Sequence, residues 1–539
     1  MCYVYYCFFL LAEPAFALSS VNIPLDSPIY LYLDKLAGFG LITSDIKGIR
    51  PYSKSEAARL LLEAERRLDS GSYPPLATEF AARLRELIPR EASLYDNPSA
   101  APAFDFTPVA NARLRYFYLD GAPRNYQRVL NDPGNDGVFG IGHGLRPPNP
   151  YPTVAQQRGS EGTPLMENNE GVIYHSGNNV DLRLSGEAYA GCWSAFLVEP
   201  MFLWSAATDD ADLRVDKVYL KLGGGGLELE VGRDENWFGL GYRGAITLSN
   251  NARNFDFIKL SSPEPVLTRY LWDLKYSLIF SRFEESVTDG KVRQPYFLAA
   301  KVSFKPTQNS EFGINLGRQV GGPGVDNGTI QVMRGLVGGF NNDDSNTLAG
   351  FELRIRLPFL RNTEIFGEYS GEDAASFWPI VESYLAGFYI PNLTESGSDD
   401  LRFEYFFGNN ILYTHYQYVE GYNREGLPIG HSQGGGTEDF FLRYSHWFSP
   451  RNNLALEWFH TSRGTHGRLP VDAAGNFDPF GVMQAVERKN ALRAMWTLPV
   501  YGQWNALLSY GIEWVDNYNL QPGVDRTNQV ARVELTYRY

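Results

Sequence analysis

Cysteine is nearly absent from this chain of 539 residues, with Cys2, Cys7 and Cys192 the only three. That excludes a disulfide scaffold and a cysteine-rich metal site. Basic charge is also short: 48 Lys and Arg stand against 62 Asp and Glu, a net charge of −14. A nucleic-acid partner is therefore not expected, because binding one requires a basic face that displaces counterions. Beyond residue 17 no run reaches the roughly 18–20 apolar residues of a membrane-spanning helix. The nucleophile elbow G-x-S-x-G, the zinc motif H-E-x-x-H and the P-loop are all missing. The histidines show no metal-ligand spacing and no repeat is visible, so neither a metal nor a cofactor is expected.

What the chain does contain is glycine and aromatic residues. It has 53 Gly, 33 Tyr and 34 Phe, and aromatics make up 14% of the total. This is too aromatic for disorder and suits many strands joined by many turns. Residues 1–17 form an apolar block ending in Ala15-Phe16-Ala17, which predicts a signal peptide cleaved before Leu18. Residues 18–104 read as a helical segment. Ser53-Lys54-Ser55-Glu56 is a capping box, and Ala57, Leu60, Leu61, Ala64 and Leu68 follow at helical spacing. Phe80, Leu84, Leu87 and Ile88 form a second stripe ended by Pro89, and a broken one runs from Ile29 to Ile42. Three short helices are expected.

Residues 105–539 read as strands. Ala531, Val533, Leu535 and Tyr537 alternate with Arg532, Glu534, Thr536 and Arg538. Phe351, Leu353, Ile355 and Leu357 do the same against Glu352, Arg354 and Arg356. Leu227, Leu229 and Val231 against Glu228 and Glu230 give a third case, and Leu182 and Leu184 against Asp181, Arg183 and Ser185 a fourth. This is the pattern of a lipid-facing and a lumen-facing side. Between Val215 and Val218 the phase slips by one, which predicts a bulge. About 18 strands can be counted, many long enough to cross a bilayer at a tilt. Without helices only a closed barrel can cross one. The expected fold is all-β: a single large antiparallel transmembrane barrel with a short N-terminal helical segment, in the bacterial outer membrane. Charged lumen faces account for a mean hydropathy of −0.28. Tyr116-Phe117-Tyr118, Trp447-Phe448 and Trp458-Phe459 fall near strand ends, where aromatic girdles would sit. Tight turns at Leu360-Arg361-Asn362 and around Pro450 are expected on the periplasmic side, with the helical segment. Long loops at 121–177, 319–346, 371–383, 421–436 and 464–484 are expected outside or folded inward.

Several segments resemble the capsule assembly Wzi family. They are Tyr32-Leu33-Asp34-Lys35-Leu36-Ala37 through Ile42, Gly48-Ile49-Arg50-Pro51-Tyr52, and Glu56 through Leu60. Gly232-Arg233-Asp234 with Trp237-Phe238-Gly239 and Leu248-Ser249-Asn250-Asn251-Ala252-Arg253 resembles the family's best-marked barrel motif, with Phe238 where a second tryptophan is usual. Leu357 through Glu364, Gly367-Glu368-Tyr369, Gly387 through Pro391, Tyr413-Thr414-His415 and Gly430-His431 also match. The resemblance implies an 18-stranded barrel with a helical bundle on the periplasmic side. It also implies a lectin-like, non-enzymatic role: holding exported capsular or other surface polysaccharide at the cell surface.

Sugar recognition needs a flat ring to stack on a sugar face and planar hydrogen-bonding groups to fix hydroxyls. Arg233, Trp237, Phe238, Asn250, Asn251 and Arg253 bring these together and are the candidate glycan-binding residues. A second reading of them is structural, a tryptophan packed under a loop and tethered by an arginine. An acidic polymer would be repelled at long range by a chain of net charge −14, so local patches are required. Arg463 and Arg468 are candidates, as are Arg354 and Arg356, or cation bridging at Asn341-Asn342-Asp343-Asp344. Asp132 to Gly137, followed by His143, only loosely matches a calcium loop, and Gly140 to Gly144 lacks the setting of a nucleotide loop. Glu368, Glu372 and Asp373 could supply a glycosidase pair, but charge facing a lumen is ordinary. The expected partners are polysaccharide and outer-membrane lipid, with the protein a monomer. The alternative function is an outer-membrane porin or transport channel for small solutes, which an open lumen would favour.

Overall fold

The computed structural model describes residues 18–135, 146–208, 210–224, 226–268, 272–288, 291–324, 345–372, 379–416 and 418–538. The expected signal peptide, residues 140–144 with His143, residues 341–344 and Asp373 lie outside the described residues.

Eighteen antiparallel strands close a barrel. In chain order they are β1 (Asp105–Asp120), β2 (Gly177–Ala190), β3 (Ser194–Ser205), β4 (Asp210–Gly224), β5 (Leu227–Asp234) and β6 (Phe255–Ser261). Next come β7 (Trp272–Arg282), β8 (Tyr296–Thr307), β9 (Ser310–Val320), β10 (Asn346–Leu357), β11 (Thr363–Glu372) and β12 (Val381–Ile390). The last six are β13 (Asp399–Gly408), β14 (Thr437–Ser449), β15 (Asn452–Arg463), β16 (Glu487–Tyr501), β17 (Trp504–Asp516) and β18 (Arg526–Arg538). The first and last strands pair to close the wall, with Leu114 opposite Leu535. No backbone edge is then left for lipid to meet.

Alternation decides which face each side chain takes. Val533, Leu353, Ile355, Leu229 and Val231 are exposed on the outer surface, whereas Glu228, Glu230, Glu352, Arg354 and Arg356 are buried inside. The slip in β4 is a bulge: Glu199 faces Lys217 but Pro200 faces Val215, so Asp216 is the extra residue. As a result Asp216 and Lys217 both point inward. The aromatic clusters divide by the same rule. Tyr116, Tyr118, Phe448 and Trp458 face outward, while Phe117, Trp447 and Phe459 are buried in the lumen. Two of the three rings in the first expected girdle cluster, and one of the two in each of the others, therefore meet lipid.

The helical segment caps the end of the barrel that carries the short turns. It has four helices rather than three: α1 (Pro28–Gly38), α2 (Lys54–Leu68), α3 (Pro75–Leu87) and α4 (Pro89–Leu94). Pro89 ends one helix and, at its favoured first position, starts the next. Ser53 caps α2 by accepting from the Glu56 amide at 3.1 Å. The Glu56 carboxylate turns to Arg59 (2.7 Å), so it does not complete the reciprocal box. Leu36, Leu60, Leu61, Phe80 and Leu84 form the core, and Trp447 from the barrel wall joins it. Its ring lies edge-on to Phe80 at 5.1 Å and to Tyr32 at 6.2 Å.

Polar ties complete the docking. Asp45 meets Arg354 (3.0 Å), Arg356 (2.9 Å) and Lys305 (3.3 Å). Lys47 bridges Asp34 (2.6 Å) and Glu364 (2.8 Å), and the Tyr32 hydroxyl donates to the Pro450 carbonyl (2.7 Å). Charges buried this deeply persist only when paired and hydrogen-bonded. Arg354 and Arg356 are thereby committed to the fold and do not form a surface patch.

Candidate functional site

The site is set by what fills the lumen. Residues 235–254, between β5 and β6, fold inward and meet residues 45–52 of the helical segment coming from the opposite end. A short antiparallel pairing joins them, Ile49 to Phe238 and Arg50 to Trp237. Two motifs almost two hundred residues apart are thus strand partners. Gly48 lets the segment lie against the barrel wall, since a Cβ there would fall 2.0 Å from the Glu352 carboxylate and 2.9 Å from the Ser303 hydroxyl.

Carboxylates on the wall hold the inward loop by its amides. Glu368 accepts from Leu240 (2.6 Å), Gly241 (3.2 Å) and Ile246 (3.1 Å), and Glu404 accepts from Tyr242 and Arg243. Arg243 reaches Asp439 at 2.7 Å. Glu372 accepts from the Tyr413 amide (2.6 Å), so Glu368 and Glu372 each hold a loop in place. Residues 409–436 pack above. The Tyr413 hydroxyl donates to the Ile246 carbonyl (2.6 Å), and the Tyr422 hydroxyl to that of Thr247 (3.0 Å). His431 stacks on Phe406 at 3.8 Å, and burial pushes its pKa down to about 3. It is neutral at physiological pH and acts as packing.

A third insertion, residues 163–174, is tied by Glu170 to Arg183 (2.7 Å) and Lys217 (3.2 Å). Burial opposes the charge on Glu167, yet Arg243 and other neighbouring cations hold its carboxyl at about 2. Glu170, Glu199 and Asp216 cluster closely enough to share a metal ion. Arg183 and Lys217 already neutralise them, so the geometry is that of an ion-pair network.

The candidate residues separate in this frame. Trp237 is 4% exposed under the Arg50 guanidinium, 5.1 Å from its ring, and Phe238 is 1% exposed. Asn250 donates to Glu235 (3.1 Å), and Asn251 donates to the Pro428 carbonyl (3.1 Å). These four lie inside the barrel and sit together. Arg233 follows the outward phase of β5 and pairs with Asp256 at 2.8 Å on the outer face. Arg253 pairs with Glu425 at 3.3 Å. Arg463 is 1% exposed and locked to Glu161, Glu487 and Gln433. Arg468 alone of the eight is exposed, and its guanidinium donates to the Gln484 carbonyl at 3.4 Å. In the calcium-loop candidate, Asp132 is taken by Arg146 (2.6 Å).

Exposed rings at the long-loop end escaped the reading of the sequence. Tyr151 is 80% and Phe480 97% exposed. Arg526 stacks on Tyr518 at 3.7 Å. Their loops join: Asn131 donates to the Gly467 carbonyl (2.7 Å), and the Tyr518 hydroxyl to that of Asn125 (2.8 Å). A local signal was present. Tyr151 stands between Pro150 and Pro152, and Phe480 follows Pro479, so fixed φ angles stiffen the chain beside each ring. Such rings can stack on sugar faces, with Arg526 and Arg468 supplying positive charge beside them.

Comparison with known proteins agrees with this architecture. The chain matches the family model for the capsule assembly protein Wzi over residues 146–530. Similar solved structures include Wzi of Escherichia coli, described as an outer membrane protein involved in group 1 capsule assembly and a carbohydrate-binding β-barrel. It shares 16% identity at a TM-score of 0.64, over 96% of this chain and 99% of that one. OprD of Pseudomonas aeruginosa shares 8% identity at 0.41, over 82% and 97%. No curated protein matches the sequence. With the family match spanning well over half its length, the chain belongs to the capsule assembly Wzi family.

Proposed function

We propose that this protein is an outer-membrane barrel that holds exported polysaccharide on the cell surface by binding it, without chemistry. The helical segment lies on the periplasmic side and the long loops outside. A monomer surrounded by lipid suffices. Family membership supports the reading, as does the carbohydrate-binding description of the Escherichia coli relative. The observation that carries it is the filled lumen. Three inward segments are hydrogen-bonded to the wall and to each other, which leaves little room for the diffusion that a channel needs. The joined loops at the long-loop end, bearing Tyr151, Phe480, Arg468 and the Tyr518–Arg526 pair, are the surface left for a glycan.

The test compares polysaccharide retained on cells with polysaccharide shed into the medium, with and without the protein. Loss of the protein is expected to move material to the medium at constant total synthesis. Complementation with Tyr151→Ala/Phe480→Ala is expected to restore the barrel but not retention. An unchanged ratio in cells lacking the protein would remove the anchoring function.

A further inference from the structure

A cavity of about 390 Å³ remains in the lumen, between the helical segment and the inward loops. It lies within the roughly 300–1,000 Å³ range of ligand sites. Its wall is β10, β11, β13 to β18 and β1, its floor is Glu167, Asn168 and Tyr242, and Trp237 and Asn250 stand at the side. It follows a gradient in packing. On β16 the inward residues Glu487, Lys489 and Ala491 are buried, whereas Arg493, Met495 and Thr497 are half-exposed. On β17, Glu513 and Val515 are buried, whereas Asn505, Leu507 and Ser509 are half-exposed. The space therefore widens toward the short-turn end, away from the long loops.

Its charge contrasts with that of the chain. Eleven arginines and Lys47 line it against seven carboxylates. Much of that charge is internally paired. Arg113 takes Asp26, Arg115 and Arg532 share Glu534, and Arg402 takes Asp34. At the mouth the pairing fails. Among the described residues Arg451 has only neutral hydrogen-bond partners, the Asn505 side chain (2.9 Å) and the Trp504 carbonyl (2.8 Å). The Arg538 guanidinium forms no hydrogen bond or ion pair among the described residues. Both stand near Tyr32, together with Arg83. Deeper in, Arg113, which is 6% exposed, keeps its Nε without a hydrogen-bond partner and its Nη2 no nearer than 3.9 Å to the Asp181 carboxylate, and Arg532 keeps its Nε without a partner. The Trp237 Nε1 is a further unused donor. Buried donors left unsatisfied are costly, and a cleft of one sign with low-dielectric walls concentrates counter-ions.

We propose that this vestibule binds a small oxyanion-bearing ligand, a carboxylated or phosphorylated group of about sugar size, entering from the short-turn end and held by Arg451, Arg538, Arg113 and Arg532. Guanidinium forks suit such groups because they donate two parallel hydrogen bonds to a carboxylate or phosphate. The site is separate from the loop surface assigned above to polysaccharide, so its failure would leave that reading intact.

The test uses the full chain in detergent micelles, titrated with glucuronate, inorganic phosphate and glucose by calorimetry at low and high salt. Saturable binding of an anion that weakens with salt is expected, with glucose inert. Glucuronate binding much tighter than phosphate points to an acidic saccharide, and the reverse to a free or lipid-borne phosphate. Arg538→Gln and Arg451→Gln are each expected to weaken binding about tenfold, the size of one lost charge-assisted hydrogen bond. A second measurement does not depend on affinity. Thr497→Cys, in a Cys2→Ser/Cys7→Ser/Cys192→Ser background, should react severalfold faster with an anionic than with a cationic thiosulfonate, and glucuronate or phosphate should protect it. No saturable anion binding at millimolar concentration, equal labelling by both reagents, or affinity unchanged in both arginine variants would overturn the proposal.

Discussion

Trp447→Ala is the sharpest probe of how the helical segment is fastened to the barrel. The Trp447 ring is 5% exposed, faces Phe80 and Tyr32 edge-on, and donates from Nε1 to Asp400 at 2.7 Å. Truncating a buried tryptophan costs about 3–5 kcal/mol. The two ring pairs account for roughly 0.5–1.5 kcal/mol each of that, and the lost hydrogen bond for about 1 kcal/mol. The wall of β14 keeps its ladder to β13 and β15, so the loss should fall on the docking of α1 and α3. A cost near 4 kcal/mol is a factor of roughly 10³ in a sub-global opening equilibrium. The assay is amide hydrogen exchange in micelles, read separately for residues 28–95 and for the barrel strands. Protection of the helices is expected to collapse by about that factor while strand protection stays. Trp447→Phe keeps a ring and should lose only about 1 kcal/mol. Unchanged helix protection in Trp447→Ala would refute the claim that this side chain anchors the segment.

Asp45→Asn leaves Arg354, Arg356 and Lys305 without a shared counter-charge. A loss of about 3–5 kcal/mol is expected in thermal unfolding, and a loss below about 1 kcal/mol would show that Glu311 and Glu364 suffice. Glu264, beside Tyr95 at 2.7 Å, makes the docking sensitive to pH. Burial and the Glu56 carboxylate push it up to about 7, against the pull of the Tyr95 hydrogen bond and Arg59. Because its pKa is raised on folding, its contribution is full below the ordinary carboxylate range and is lost as pH rises through about 7. Melts should therefore show stability falling between pH 5 and pH 8, and Glu264→Gln should flatten that fall. In planar bilayers the refolded protein should show no steady open current, whereas a sustained one would contradict the filled lumen.

The structure accounts for why some residues were readable from the sequence and others were not. Side chains alternate along a strand whatever the neighbours are, so Leu227 to Val231 and Val533 to Arg538 declared an outer and an inner face. The bulge in β4 showed in the same way, as did the cap at Ser53, because each is a matter of a few consecutive residues. Recognition of the family also rested on local words in the chain, among them Gly48 to Tyr52 and Trp237 to Gly239. That these two words are strand partners inside the lumen is a contact between distant segments, and no local pattern encodes it. For the same reason Arg463 reads like any loop-edge arginine, although Glu161 and Glu487 bury it. Arg233 reads like a ligand-binding arginine, although its strand phase turns it outward to Asp256. Alternation assigns a side chain to the lumen, but only the closed barrel decides whether that lumen holds a loop, an ion pair or the open space beside Arg538.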